Sequence, residues 1–219
     1  MSAESGVPTY RGKDGIWEEY DWEEVACEEA FQNDPEKVLN FHELRRSELL
    51  NRQPHAGHRA LVQLEARHPD VTIITQNIDG LHQRAGSTNV IELHGSLWRL
   101  QCPNDQKIYQ LMPNVPAPLR CTCGHWLRPA ITWFGDNLDL ATFTKASKII
   151  SDCTLFVAVG TSGVIWPAAG LPQIAARKGV QMVEINPEEN DLSPLYGNQI
   201  RDLAANVLPK LFPGINYQL

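Results

Sequence analysis

Val71-Thr72-Ile73-Ile74-Thr75-Gln76-Asn77-Ile78-Asp79-Gly80-Leu81-His82-Gln83-Arg84-Ala85-Gly86 is followed closely by Val90-Ile91-Glu92-Leu93-His94-Gly95. An apolar, β-branched run ends abruptly in amide, carboxylate and glycine. A second run, Asn89 to Leu93, ends in His-Gly. Two buried-type strands thus stop at polar groups, at the kind of edge where α/β sheets place ligands.

Outward from these strands, continuous apolar runs alternate with helical patterns. Asp34-Pro35 is a helix start, a capping residue followed by proline at the first helical position, with the helix expected to about Arg52. A second helix fits His55 to Arg67. Leu97 to Gln101 is expected as a strand leading into an irregular stretch rich in Cys and Pro. Ala130 to Gly135 reads as extended and Leu138 to Ser151 as a helix. Thr154 to Val159 reads as a buried strand ending in Gly160-Thr161-Ser162. Pro167 to Lys178 reads as a helix, Val180 to Ile185 as a buried strand ending at Asn186-Pro187, and Ile200 to Leu211 as the last helix. Buried strands alternating with helices imply an α/β fold, a parallel sheet covered on both faces.

Composition narrows the function classes. The 219 residues are 42% hydrophobic and 21% charged, which suits one domain with an insertion. The net charge of −7 and the absence of a basic stripe argue against nucleic acid as a partner. No run approaches the roughly 18 apolar residues of a membrane span, and Met1 to Gly6 lacks a signal-peptide pattern. Five cysteines without an export signal fit a cytoplasmic protein with reduced thiols; Cys27 and Cys153 are expected to be buried and structural.

Two constellations carry chemistry. Gly160-Thr161-Ser162-Gly163 follows a strand and precedes a helix, where small residues let backbone N–H groups and hydroxyls approach a phosphate or ribose. A strand-to-helix glycine is as often purely structural. His94 can act as a general base because its ordinary pKa lies near working pH. A lone histidine there is more often a cap or a satisfied core residue; Gln76, Asn77 and Asp79 on the preceding strand make this one less ordinary. Asp79 could equally cap the turn into the next helix.

Together, Thr75-Gln76-Asn77-Ile78-Asp79-Gly80-Leu81-His82, Leu93-His94-Gly95, Trp133-Phe134-Gly135, Gly160-Thr161-Ser162 and Ser5-Gly6-Val7-Pro8-Thr9-Tyr10-Arg11-Gly12 resemble, in order, the sirtuin family of NAD-dependent protein deacylases. The resemblance runs from about residue 2 to residue 211. It implies a Rossmann-like doubly wound parallel sheet with a small zinc-ribbon-type insertion: about 1–15, 53–96 and 130–219 as the NAD-binding part, about 16–52 as a helical module and 97–129 as the zinc-type module. It implies His94 as the base acting on a ribose hydroxyl of NAD, with Gln76, Asn77 and Asp79 lining the ribose and nicotinamide pocket. Ala3, Tyr10 and Arg11 would belong to the loop over NAD, with Tyr10 where the family usually has Phe. Gly160, Thr161, Ser162 and Asn186 would hold the phosphate and adenosine side, with Ala204 near the adenine. Ile131, Trp133 and Phe134 would form the substrate strand edge and apolar tunnel for acylated lysine peptides or proteins. The products implied are free lysine, nicotinamide and O-acyl-ADP-ribose.

In the class III branch of that family, a Tyr-x-x-Arg pair binds the carboxylate of succinyl- or malonyl-lysine. Here His42 and Arg45 occupy those positions, three apart on one helix face. Arg45 can grip a carboxylate bidentately and His42 can donate a hydrogen bond from a shorter side chain. Ala26 matches the small residue that enlarges that branch's pocket. The expectation is a carboxylate-tolerant deacylase; the bland alternative is a solvated arginine on a surface helix.

The chain also departs from the family. The usual twin Cys-x-x-Cys zinc motif is here Cys102-Pro103-Asn104-Asp105 and Cys121-Thr122-Cys123. Cys102, Cys121 and Cys123 would supply three ligands, and Asp105 or His125 could complete a tetrahedron; a decayed, metal-free site is the other reading. The family also has a strand ending in Gly-Ala-Gly ahead of Ser2-Ala3-Glu4-Ser5-Gly6. The expectation is therefore a reading frame extending upstream of Met1; a chain that truly began here would lose NAD affinity and, through unburied apolar area, stability. Competing readings are a mono-ADP-ribosyltransferase and a non-catalytic module that binds acylated peptide. A Gly-x-Gly-x-x-Gly oxidoreductase fingerprint is absent.

Overall fold

In a computed structural model the described residues are 1–10 and 15–211. The chain opens with a 3₁₀ turn, Ser2–Ser5, and then builds a helical layer: α1 (Ile16–Glu19), α2 (Trp22–Val25), α3 (Glu28–Asn33), α4 (Pro35–Leu50) and α5 (Ala56–Arg67). Asp34 starts α4 as the sequence implies: its carboxylate accepts from the Lys37 N–H at 3.0 Å and Pro35 follows, a cap worth about 1 kcal/mol. The helix ends at Leu50, two residues early. The short α1 to α3 have no long apolar period and form because their aromatic residues, Trp17, Tyr20, Trp22 and Phe31, pack with Phe41 and Trp133 into one cluster.

The rest of the chain alternates as expected: β1 (Ile73–Thr75), α6 (Leu81–Ala85), β2 (Val90–Glu92), β3 (Gly95–Gln101), β4 (Ile108–Gln110), β5 (Arg128–Ile131), α7 (Leu140–Asp152), β6 (Leu155–Val159), α8 (Leu171–Arg177), β7 (Gln181–Ile185), β8 (Asn198–Ile200) and α9 (Ala204–Leu211). β1 and β2 pair in parallel, Ile73 opposite Val90 and Thr75 opposite Glu92. β6, β7 and β8 form a second parallel set in that order. α7 and α8 cover one face through Ala146, Ile150, Leu171 and Ala175. α5 and α9 cover the other through Ala60, Val207 and Leu208. This is the doubly wound arrangement. β4, β3 and β5 form a separate antiparallel sheet carrying the cysteine-bearing loops.

Three local expectations are corrected. The strand at Thr154 to Val159 is not buried throughout: Leu155 and Val157 are exposed and only Ala158 is buried, because β6 pairs with β7 alone among the described strands. The helix expected from Ile200 begins at Ala204. Ile200 instead pairs with Ile185 in β8, and Asp202 accepts from the Leu203 N–H at 2.7 Å to start the helix. The helix expected over Pro167 to Lys178 is broken after a 3₁₀ turn, Ala168–Gly170, and restarts at Leu171, where Pro172 has no N–H to continue the earlier turn.

Candidate active site

Parallel pairing of β1 with β2 brings Gln76-Asn77 and Leu93-His94 out at the same sheet edge. His94 Nδ1 lies 3.0 Å from the Gln76 carbonyl oxygen. A carbonyl only accepts, so Nδ1 carries the proton and Nε2 keeps its lone pair. Burial lowers the pKa of His94, and the Gln76 carbonyl pulls it back only in part. The His94 carbonyl in turn accepts from the Thr132 N–H at 3.0 Å, tying the histidine to the segment after β5 that carries Trp133 and Phe134. The bend after it needs Gly95: φ is +75°, and a Cβ there would sit 2.0 Å from the Ala130 carbonyl oxygen.

Around His94 the side-chain amides are held by hydroxyls from distant parts of the chain. Asn77 Nδ2 donates to Ser2 Oγ at 2.7 Å, and Gln76 Nε2 reaches Thr161 Oγ1 at 3.4 Å. Asp79 is buried and does cap: its Oδ1 accepts from the Leu81 N–H at 2.8 Å, while its carbonyl accepts from the Trp98 indole at 2.7 Å. The same carboxylate lies close enough to Tyr10 to raise that phenol further. Capping and lining a pocket are compatible here.

The Gly160-Thr161-Ser162 turn stands at the end of β6, with Gly160 at φ +57° and its N–H bonded to the Ile185 carbonyl at 2.8 Å. The Thr161 carbonyl accepts from Asn186 Nδ2 at 2.9 Å and from Asn190 Nδ2 at 3.2 Å. Asn190 and Ser2 were missed by sequence reasoning. Ser2 adjoins Ala3 in the quoted motif and was within reach; Asn190 sits in a polar loop with no local signal. Asn190 also bonds the buried Glu184, which is held by Ser193 and Arg201. Of the other expected cofactor residues, Ala3 and Ser162 are exposed at this edge, and Ala204 is buried at the start of α9, so its side chain serves packing and its backbone remains for contact. Arg11 lies outside the described residues.

The substrate side is built from α4 and the end of β5. His42 and Arg45 are both buried, which overturns the solvated-arginine reading. His42 Nε2 accepts from the Trp133 indole N–H at 3.1 Å, and the two rings stack at 5.9 Å. Burial, helped by Arg128, pushes the His42 pKa down to about 3, so the ring is neutral with its proton on Nδ1, which faces the Val25 carbonyl without closing a hydrogen bond. Arg45 pairs with Glu48, its Nε has no partner, and its guanidinium stands beside Tyr10, whose phenol is pushed up to about 12 by burial with Arg45 opposing. Ala26 is buried and its carbonyl accepts from the Phe134 N–H at 3.1 Å. Ile131 and Trp133 are buried, and Phe134 borders a cleft of about 450 Å³ shared with Trp22 and Cys27. Cys27 and Cys153 are half-buried rather than fully buried because each caps a helix end: Cys27 Sγ accepts from the Ala30 N–H at the start of α3 and Cys153 Sγ donates to the Ile150 carbonyl at the end of α7.

Cys102, Asp105, Cys121 and Cys123 gather at the far end of β3, with one donor atom from each within 4.8 Å of all the others. Three sulfurs and a carboxylate oxygen are a donor set that fits zinc. A nucleotide is likewise matched by the amides, hydroxyls and single imidazole at the carboxyl ends of β1, β2, β6 and β7.

A Sir2 family model matches residues 1–167. The chain is 44% identical over 222 residues to NAD-dependent protein deacylase 2 of Pyrobaculum aerophilum, covering 100% of this chain and 89% of that protein. It is 40% identical over 215 residues to the NAD-dependent protein deacylase of Aquifex aeolicus, covering 97% and 90%. Among solved structures, a Sir2 homologue–NAD complex superposes with a TM-score of 0.87 at 41% identity, covering 96% of this chain and 84% of that one.

Proposed function

The chain belongs to the Sir2 family, and from that premise we propose how its residues divide the work of an NAD-dependent protein deacylase. The observation that carries the reading is the His94–Gln76 hydrogen bond, which leaves a neutral imidazole nitrogen free at the edge where the nucleotide-type groups converge. NAD, when bound, supplies a ribose whose bond to nicotinamide already has a cationic leaving group, so this protein's task is orientation more than acid catalysis. Gln76, Asn77 and Asp79 orient the ribose and nicotinamide end. Gly160, Thr161, Ser162 and Asn186 hold the phosphate and adenosine side, with Ala3, Tyr10, Arg11 and Ala204 completing the enclosure. His94 Nε2 takes the proton from a ribose hydroxyl.

Acylated lysine of a peptide or protein enters along Ile131, Trp133 and Phe134. Among solved neighbours, one Sir2 structure with a TM-score of 0.83 and 32% identity, covering 94% of this chain and 86% of that one, holds a deacetylated p53 peptide with acetyl-ADP-ribose, which supports a peptide substrate here. Acyl groups ending in a carboxylate suit Arg45: buried, with an unpartnered Nε and the Tyr10 phenol beside it. His42 is committed to Trp133 and is the lesser contributor. Deacylation is favoured over transfer of ADP-ribose to protein by the deacylases among the relatives. Cys102, Cys121 and Cys123 would hold zinc as a structural staple, joining the end of β3 to the loop before β5. No described helix is long and apolar enough to cross a membrane. Five unpaired cysteines and an acidic net charge support a cytoplasmic setting without nucleic-acid or membrane partners. Nicotinamide release that depends on an acyl-peptide tests the reading; release that ignores the peptide would count against it.

A further inference from the structure

The metal-type cluster contains a choice that the spacing of its cysteines leaves open. Only one Cys-x-x-Cys partner is replaced, by Asp105, and His125 lies two residues after Cys123. The two candidates for a fourth ligand are placed differently. The Asp105 carboxylate is oriented by its own backbone turn: Oδ1 accepts from the Lys107 N–H at 3.0 Å, which turns Oδ2 onto Cys121 Sγ at 3.3 Å. Cys102 Sγ and Cys123 Sγ are 3.4 Å apart. Ligand edges around a tetrahedral zinc are about 3.5–3.8 Å for bonds of about 2.0–2.3 Å, so these donors already stand near coordinating separations.

His125 does not join that group. Its Nδ1 lies 3.5 Å from Cys123 Sγ, and its carbonyl accepts from the Cys121 N–H at 2.8 Å. Tyr109 adds a hydroxyl donor to Cys121 Sγ at 3.2 Å. Histidine and tyrosine thus hydrogen-bond to sulfur, as groups outside a metal's ligand set do to orient it.

We propose that Asp105 is the fourth ligand of a Cys₃Asp zinc site in this chain, through Oδ2 alone, and that His125 and Tyr109 act as outer hydrogen-bonding partners of Cys123 and Cys121. A carboxylate is a harder and more readily exchanged donor than a thiolate, so this site gives up zinc to a chelator faster than a four-thiolate version of itself. The assignment does not depend on the deacylase reading, and its test reads metal rather than turnover.

The full chain is purified without a metal-affinity step and its zinc is measured by elemental analysis, in the wild type, Asp105→Ala, Asp105→Cys and His125→Ala. Circular dichroism of each variant separates metal loss from unfolding. We expect about one zinc per chain in the wild type and in His125→Ala, with release to a chelator about tenfold faster from His125→Ala, the usual scale of a lost outer partner, and faster still from Asp105→Ala. Asp105→Cys keeps its zinc longer than the wild type, and its cobalt-substituted form gains thiolate-to-metal charge-transfer absorbance over the wild type. A wild-type chain without zinc overturns the proposal. So does zinc lost from His125→Ala but kept by Asp105→Ala, or a cobalt spectrum unchanged by Asp105→Cys.

Discussion

His94 Nδ1 and the Gln76 carbonyl oxygen lie 3.0 Å apart, just beyond the ends of two paired parallel strands, Gln76 directly after β1 and His94 two residues after β2. That contact fixes the tautomer, leaves the lone pair on Nε2 and ties the imidazole to the residue next to Asn77. The imidazole is held neutral by burial, which outweighs the carbonyl's opposite pull. For the proposed role the arrangement is one of positioning, with a neutral imidazole held by backbone at the sheet edge.

His94→Ala should leave the fold intact, because the ring's hydrogen bond is to a backbone carbonyl at the strand edge, and lower turnover by at least about 100-fold, the usual scale of a positioned base. Because the pKa of His94 is lowered, the base form is already present at neutral pH. Wild-type kcat should therefore stay level as pH falls from 8 to 7 and decline only below about 6.5. A pH–rate profile that breaks above 7 would point to another group.

Arg45→Met should lower kcat/KM for a succinyl-lysine peptide by about 10- to 100-fold, the scale of a lost hydrogen bond to a charged group, and change deacetylation by less than about threefold. Tyr10→Phe should move the same ratio in the same direction by a smaller factor, and His42→Phe least of all. Equal loss on both acyl groups in Arg45→Met would mean that Arg45 serves packing alone.

The chain should lose stability as pH falls below about 6.5. His42 and His58 are buried with pKa values pushed down to about 3 and about 2, chiefly by burial, and His55 and His82 are lowered for the same reason. Their folded values lie under the unfolded value of about 6.5, so the unfolded chain binds protons first, and this stability, complete above 6.5, drains as pH drops toward the folded values. Urea midpoints at pH 7.5, 6.0 and 5.0 should fall in that order, and more shallowly for His58→Leu. A flat series would contradict the burial of these rings.

Arg201→Met should destabilise by about 3 kcal/mol, since it strips the cation from a carboxylate that is 1% exposed. The effect should extend to NAD, because Glu184 also fixes Asn190, which holds the Thr161 carbonyl. Thermal unfolding and NAD titration should shift together; a stability loss with unchanged NAD affinity would separate the network from the site.

Much of the fold is legible in the sequence. The strands ending at Thr75 and Glu92, the α4 cap at Asp34 and the glycine turn at 160 follow from local chemistry, and the ordered motifs pointed to the Sir2 family. What stayed hidden depended on tertiary pairing. β8 has no apolar run of its own and exists because Ile200 faces Ile185. Leu155 and Val157 looked buried because apolar periodicity cannot tell an edge strand from a central one. The contact between His42 Nε2 and the Trp133 indole, 91 positions along the chain, has no local signal; it leaves Nδ1 as the nitrogen that can donate. Asn190 carried no motif and is set in place by Glu184 and Thr161.

The most direct test of the central claim is a single assay with NAD and an acetyl-lysine peptide, measuring nicotinamide and O-acetyl-ADP-ribose in parallel for the wild type and His94→Ala. The account predicts equal amounts of both products from the wild type, none without peptide, and neither product at a wild-type rate from His94→Ala. Wild-type-like formation of O-acetyl-ADP-ribose by His94→Ala, or nicotinamide release by the wild type with no acyl-ADP-ribose product, would contradict it.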